Sequence, residues 1–323
     1  MIDAQGLTKR FTRLLAVDQV TLRVAPGEVL GFLGPNGAGK TTTMRMIAGF
    51  LEPTEGSVSV CGHDIVHQPL AARRCLGYLP EGAPLYGDMT ARGFLSFVGE
   101  VRGYRGRERV QRVQRVVELV SLQEVIDRPI ETLSKGFKRR VALAQAMLHE
   151  PPVLILDEPT DGLDPNQKHD VRGLIRTLSK EVAIIVSTHI LEEVDAICTR
   201  AVIINHGRII ADGTADDLLC RLPEHNSLLV AVDGNEAATA RSVLQRFADR
   251  PVVETVDVDA RVQLRLLGSA EAPPLVHVTQ ALHDAGVTAR AISVDRGRMD
   301  DVFRLLTNGS DVHPPAKEDG RRA

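Results

Sequence analysis

The chain has 323 residues, 43% of them hydrophobic and 25% charged, with a formal net charge of −3. That length suggests about two domains with buried cores, and that charge provides no strong basic field of the kind that favours nucleic acid. No apolar run approaches the ~18 residues a membrane helix needs. The start, MIDAQGLTKRF, lacks the apolar stretch of a signal peptide, so a cytoplasmic protein is expected.

In chain order, residues 2–33 read as short strands with alternating apolar positions: Val20 to Val24, a turn at Pro26-Gly27, then Val29 to Leu33. Residues 34–42, GPNGAGKTT, fit the pattern G-x-x-x-x-G-K-[ST]. Ordinary residue frequencies produce that pattern in roughly one chain of this length in a hundred. Gly34, Gly37 and Gly39 let the backbone turn its N–H groups inward as an anion nest, with Pro35, Asn36 and Ala38 completing the loop. Lys40 can then reach the β- and γ-phosphates of a nucleotide, and the Thr41 hydroxyl, followed by Thr42, can ligate Mg²⁺. A helix from Lys40, apolar at Met44, Ile47, Ala48 and Leu51, points its positive end at those phosphates.

His63 and His67 stand four apart, a spacing that could share a metal on a helix. They follow the strand-like GSVSVCG, however, and read as solvated loop histidines. The four cysteines (Cys61, Cys75, Cys198, Cys220) contain no C-x-x-C pair and read as buried reduced thiols. Residues 88–150 look mainly helical, apolar at three- and four-residue spacing in GFLSFVGEVRGY, VQRVQRVVELV and FKRRVALAQAML. The basic stretch Arg102 to Arg115 reads either as a solvated face, the commoner case, or as a docking surface for an acidic or membrane-proximal partner.

Uninterrupted apolar runs at 153–156 (VLIL) and 182–187 (VAIIVS) are typical of parallel strands covered on both faces, with a helix expected between them at about 165–180. This alternation predicts an α/β sheet whose active residues lie at the carboxyl ends of its strands. Asp157-Glu158 stands at one such end. Beside a phosphate loop, the aspartate suits Mg²⁺, leaving the glutamate free to orient and polarise water. Composition breaks at Arg221 to Asn226. Beyond it the pattern predicts strand 227–232, helix 235–248, strands 252–258 and 261–267, helix 274–285, strand 288–294 and helix 299–307. That order is the split βαβ, ferredoxin-like one. It has no obvious catalytic cluster and reads as an accessory regulatory or dimerising module. Residues 309–323 are polar with two prolines and are expected to be a disordered tail.

Across about residues 2–220 the chain resembles the nucleotide-binding subunit of ATP-binding cassette (ABC) transporters. Beyond GPNGAGKTT and LILDEP, LSKGF at 133–137 resembles that family's signature, and GLDP at 162–165 its D-loop. His189 in STH looks like the switch histidine, LPE at 79–81 occupies the place of the Q-loop, and Phe11 sits where an aromatic ring stacks on adenine. The resemblance implies a P-loop NTPase ABC ATPase domain over 1–222, a mixed sheet with a helical subdomain at about 88–150. A small α+β ferredoxin-like domain over 227–308 would follow it.

The resemblance also implies ATP and Mg²⁺ as cofactors, with Lys40, Glu158 and His189 in catalytic roles and Thr41, Asp157 and Glu81 at the metal. Ser134 and Gly136, at the start of a helix beginning near Phe137, would meet the γ-phosphate of ATP held by a second subunit. Asp164 would lie across that interface. A homodimer is the economical expectation, docked through the helical segment and the loop around Glu81 on an integral membrane permease at the cytoplasmic face. Glu81 departs from the usual glutamine, and Lys135 and Phe137 from the usual glycine and glutamine.

LSKGF, GYLPE and the ending MDDVFRLL resemble bacterial exporter ATPases of drug, polysaccharide, antibiotic-resistance and gliding-motility systems. An alternative is a soluble ABC ATPase acting on DNA or ribosomes, but only about 90 residues separate loop and signature, with no sustained heptads, and there is a single cassette. A P-loop kinase is opposed by LSKGF and the STH histidine.

Overall fold

In the computed structural model the alternating start of the chain folds as one long hairpin, β1 (Ile2–Phe11) and β2 (Leu14–Val24), and not as short separate strands. Gly6 and Gln19 adopt left-handed backbone (φ 55° and 54°), and the β1–β2 register shifts beside them. The irregularities that look like strand ends in the sequence are therefore bulges within continuous strands. β3 (Val29–Leu33) leads into α1 (Lys40–Ile47), followed by β4 (Glu55–Val60), β5 (His63–Asp64), α2 (Pro69–Arg74) and β6 (Leu76–Leu79). The helical segment comprises α3 (Ala91–Val101), α4 (Gly106–Leu119) and α5 (Lys135–Met147). Then come β7 (Val153–Asp157), α6 (Pro165–Leu178), β8 (Ala183–Thr188), α7 (Leu191–Ile197), β9 (Arg200–Asn205) and β10 (Arg208–Gly213). The structure describes residues 1–247, 253–256, 261–267 and 275–308, and the chain divides into two units, Met1–Thr214 and Ala215–Ala323.

In the first unit a six-stranded sheet runs β10-β9-β3-β8-β7-β6, parallel throughout except for the β9–β10 hairpin. A separate antiparallel sheet runs β2-β1-β4-β5. Alternate residues of the central strands serve two different cores. Leu154, Leu156, Ile184 and Val186 face the helical segment, while Val153, Ile155, Ala183 and Ile185 pack with α1 and the antiparallel sheet. Burial on both faces is why those strands read as unbroken apolar runs. The phosphate loop follows β3, Asp157 ends β7 with Glu158 just after it, and His189 follows β8, all at the carboxyl ends of neighbouring parallel strands.

Several local expectations need adjusting. α5 starts at Lys135, two residues before the expected Phe137, because Ser134 Oγ accepts the Phe137 N–H (3.3 Å) and caps the helix there. Cys220 is exposed, and Cys61, Cys75 and Cys198 are partly covered free thiols. Three of the six arginines in the basic stretch are paired within the unit: Arg109 with Glu100, Arg112 with Glu108 and Glu150, and Arg115 with Glu150. Arg112 also lies over the Tyr104 ring at 4.2 Å. Among the described residues no helix is long and apolar enough to cross a membrane.

The second unit holds α8 (Ala215–Leu219), β11 (Ser227–Asp233), α9 (Ala237–Leu244), β12 (Val253–Val256), β13 (Arg261–Leu266), α10 (Leu275–Asp284), β14 (Ala291–Asp295) and α11 (Met299–Asn308). Its sheet runs β12-β13-β11-β14 with every neighbouring pair antiparallel, the split βαβ arrangement. Val230, Leu264, Leu244 and Val278 form the centre of its core. The unit begins ahead of the composition break because α8 packs on α11. The expected disordered tail, 309–323, lies outside the described residues.

Candidate nucleotide cleft

The phosphate loop takes its shape from backbone freedom at two positions. Gly37 and Gly39 have φ 81° and 106°, conformations that L side chains rarely adopt. Gly39 is also pressed against the hairpin, since a Cβ there would stand 2.7 Å from the Ala16 carbonyl oxygen. Gly39→Ala is therefore expected to destabilise the first unit by about 1–3 kcal/mol, measurable by denaturant unfolding. Gly39 is the N-cap of α1 and provides no side-chain acceptor, so the first amides of that helix remain available to an anion.

A cleft of about 650 Å³ opens over this loop. Its walls include Asn36, Gly37, Gly39, Lys40, Thr41 and Thr42 from the loop, with Glu81, Glu158 and His189 from the neighbouring strand ends. Phe11 stands at the mouth, 42% exposed, with the Lys9 ammonium 5.5 Å over its ring. Lys40 is buried, and its Nζ donates to the carbonyls of Gly34 (2.6 Å) and Pro35 (3.2 Å). Burial lowers its pKa, while the nearby carboxylates of Glu158, Asp157 and Glu81 raise it. The buried cation thus shares the cleft with Glu81 and Glu158, and its charge is available to an anion bound at the loop.

Asp157 and Glu158 are both buried but held differently. Ser187 Oγ donates to Asp157 Oδ1, while Asp157 Oδ2 has no partner. One buried carboxylate oxygen is thus free for a further ligand, which suits a hard cation beside a phosphate. Glu158 is pushed above the usual carboxylate range by burial, and the His189 hydrogen bond and the Lys40 charge pull it back. His189 Nδ1 and Glu158 Oε2 are 2.9 Å apart.

Of the other residues singled out in the sequence, Ser134, Gly136 and Asp164 are not among those lining the cleft. Asp164 is the N-cap of α6, its Oδ1 accepting the Gln167 N–H (2.9 Å). A Cβ on Gly136 would fall 2.2 Å from Gln167 Oε1, so the D-loop helix rests on the signature of its own chain.

Residues 17–161 match the ABC transporter family. The chain is 40% identical over 219 residues to the probable multidrug ABC transporter ATP-binding protein YbhF of Escherichia coli (strain K12). That match takes in 68% of this chain and 38% of YbhF, so the chain spans well under half the length of that relative. It is 34% identical over 307 residues, 95% of each chain, to the daunorubicin resistance ATP-binding protein DrrA3 of Streptomyces coeruleorubidus. The chain belongs to the family of ABC transporter ATP-binding subunits. Its cassette superposes on the dimeric structure of MJ0796, a bacterial ABC transporter cassette, with a TM-score of 0.61 and 25% identity, over 66% of this chain and 98% of that one.

Three features of this ABC cassette escape motif reading. Asp161 lines the cleft and bonds the signature's Lys135 (3.0 Å), which holds the Asp161 carboxyl below its usual range. His206 and Gly207 form the β9–β10 turn at φ 47° and 79°, and both line the cleft. The Gly207 N–H donates to the Ala38 carbonyl (2.9 Å), bracing the phosphate loop from the far edge of the sheet. Positive φ at both central residues is what a two-residue hairpin turn of this kind requires. The third feature is Arg139, whose side chain reaches the end of β7.

Proposed function

We propose that the chain binds ATP in this cleft and hydrolyses it only when a second copy supplies its signature, driving export through a separate integral membrane permease. The observation that carries this reading is the split of the site. Phosphate loop, Glu81, Glu158 and His189 line one cleft, whereas Ser134, Gly136 and Asp164 lie outside it. Similarity to a dimeric cassette and to a daunorubicin resistance ATP-binding protein supports the pairing and the export role.

In this reading Phe11 stacks on the adenine, and the loop amides and Lys40 hold the phosphates. Thr41, Asp157 and Glu81 are the residues that would hold Mg²⁺, whose charge offsets that of the phosphates. Glu158 takes a proton from the attacking water, and His189, bonded to its Oε2, aims it and contacts the γ-phosphate. Ser134 and Gly136 of each copy close over the ATP of the other. Loss of the γ-phosphate removes contacts made only in the closed pair, which then opens. The permease responds to that motion at the cytoplasmic face of the membrane, and the second unit is an accessory module.

Glu158 must be ionised to act, so its raised pKa places the acid limb of the turnover profile above the usual carboxylate range. His189→Ala removes the strongest influence holding that pKa down. Its acid limb is expected at higher pH than wild type in a pH series of kcat. The partner is tested by affinity capture from detergent-solubilised native membranes. A co-purifying polytopic membrane protein that stimulates ATP turnover is the expected result, and ribosomal or DNA-bound partners would overturn the transport role.

A further inference from the structure

Glu158 has a backbone conformation that its side chain does not favour. Its φ is 51°, in the left-handed region that non-glycine residues seldom occupy and that persists only where the surroundings enforce it. The enforcement comes from both sides of the residue. The Glu158 N–H donates to Ser187 O (3.2 Å) and Ser187 Oγ (3.0 Å), fixing it to β8. The Glu158 carbonyl accepts from Arg139 Nη2, which also donates to the Asp157 carbonyl. Arg139 Nε reaches the Pro159 carbonyl (3.4 Å) and Nη1 the Pro80 carbonyl (3.1 Å), beside Glu81. One guanidinium therefore gathers three consecutive carbonyls where β7 leaves the sheet, plus one from the Glu81 loop. A planar fork of five donors can do this, and a lysine ammonium, a point charge on a flexible stem, cannot do it in the same geometry.

We propose that Arg139 is a positioning residue for ATP hydrolysis: from the signature helix it holds the left-handed backbone of Glu158 and so aims that carboxylate into the cleft. The proposal rests on the assignment of Glu158 as the base. It adds that the signature helix acts on its own chain's cleft as well as on the partner's ATP. Any shift of α5 against β7 moves four carbonyl contacts at once, among them the one that keeps Glu158 in place. Misplacement of a catalytic group by about 1 Å can cost on the order of 100-fold in rate, so the effect of losing the fork falls on turnover and not on nucleotide affinity.

The test uses the full chain as wild type, R139Q, R139K, E158Q and R139Q/E158Q, under conditions in which the wild type turns over. Steady-state kcat and KM, equilibrium binding of a fluorescent ATP analogue and thermal melting are measured for each. R139Q is expected to lower kcat at least ~10-fold with KM and analogue affinity within about twofold of wild type, and R139K to fall between the two. In the E158Q background, R139Q is expected to add less than about twofold, because the carboxylate it positions is already gone. Wild-type kcat in R139Q overturns the proposal. So does an equal loss in both backgrounds, or a parallel loss of turnover and affinity. If R139Q fails to fold, R139K decides: reduced kcat at unchanged KM and melting temperature supports the proposal, and wild-type kcat overturns it. Failure of the underlying reading shows separately, as full hydrolysis by E158Q alone.

Discussion

Replacing Glu158 by glutamine is expected to lower ATP hydrolysis at least ~100-fold while ATP binding stays intact, the usual scale for a lost general base. The substitution removes one function and preserves its setting. Glutamine has nearly the same volume, so the buried position beside Asp157 stays filled. The backbone contacts that hold residue 158, to Ser187 and Arg139, do not involve its side chain. An amide oxygen can still accept from His189, so that ring keeps a partner. What is lost is the ability to take a proton from water. Turnover is read by phosphate release and binding by a fluorescent nucleotide. Because hydrolysis is what opens the proposed pair, E158Q with ATP is also expected to elute as a stable dimer in size-exclusion chromatography, where wild type does not. Undiminished hydrolysis by E158Q would remove Glu158 from the mechanism.

The two halves of the cleft differed in how much of them could be read from residue order, and the difference is physical. The phosphate loop is contiguous, and its shape depends on backbone freedom that glycine announces: Gly37 and Gly39 are the residues with positive φ. The strands were legible because burial on both faces demands unbroken apolar runs, as in β7 and β8. Bracing by His206-Gly207 and clamping by Arg139 depend on which distant strands lie side by side. Hydrophobic periodicity carries no information about strand order, and an arginine among Lys138, Arg139 and Arg140 looks like one more charge on a helix. The pairing of His189 with Glu158 arises the same way, from β7 and β8 ending together. Ser134 and Asp164 each cap a helix within their own chain, a role that shows only in the structure.

Capping complicates the obvious test of the proposed two-chain site, because Ser134→Ala would weaken α5 by about 1 kcal/mol as well as removing the proposed phosphate contact. Ser134→Asp avoids that confusion. Aspartate keeps an oxygen to accept the Phe137 N–H, and its charge repels the partner's γ-phosphate. Lys40→Ala removes the cation proposed to grip phosphate in the chain's own cleft, which Lys40 lines. Each variant alone is expected to be nearly inactive. In a mixed dimer the two defects fall in the same composite site, and the other site joins an intact loop to an intact signature. An equimolar mixture gives about half mixed dimers, each with one working site of two, and so about a quarter of the wild-type rate if the sites act independently. The rate should follow the product of the two chain fractions, rising to a maximum at equal amounts and vanishing at either end. A cleft completed within one chain predicts no activity at any ratio. The curve of activity against mixing ratio therefore reports whether the Lys40 loop and the Ser134 signature of one chain ever serve the same ATP.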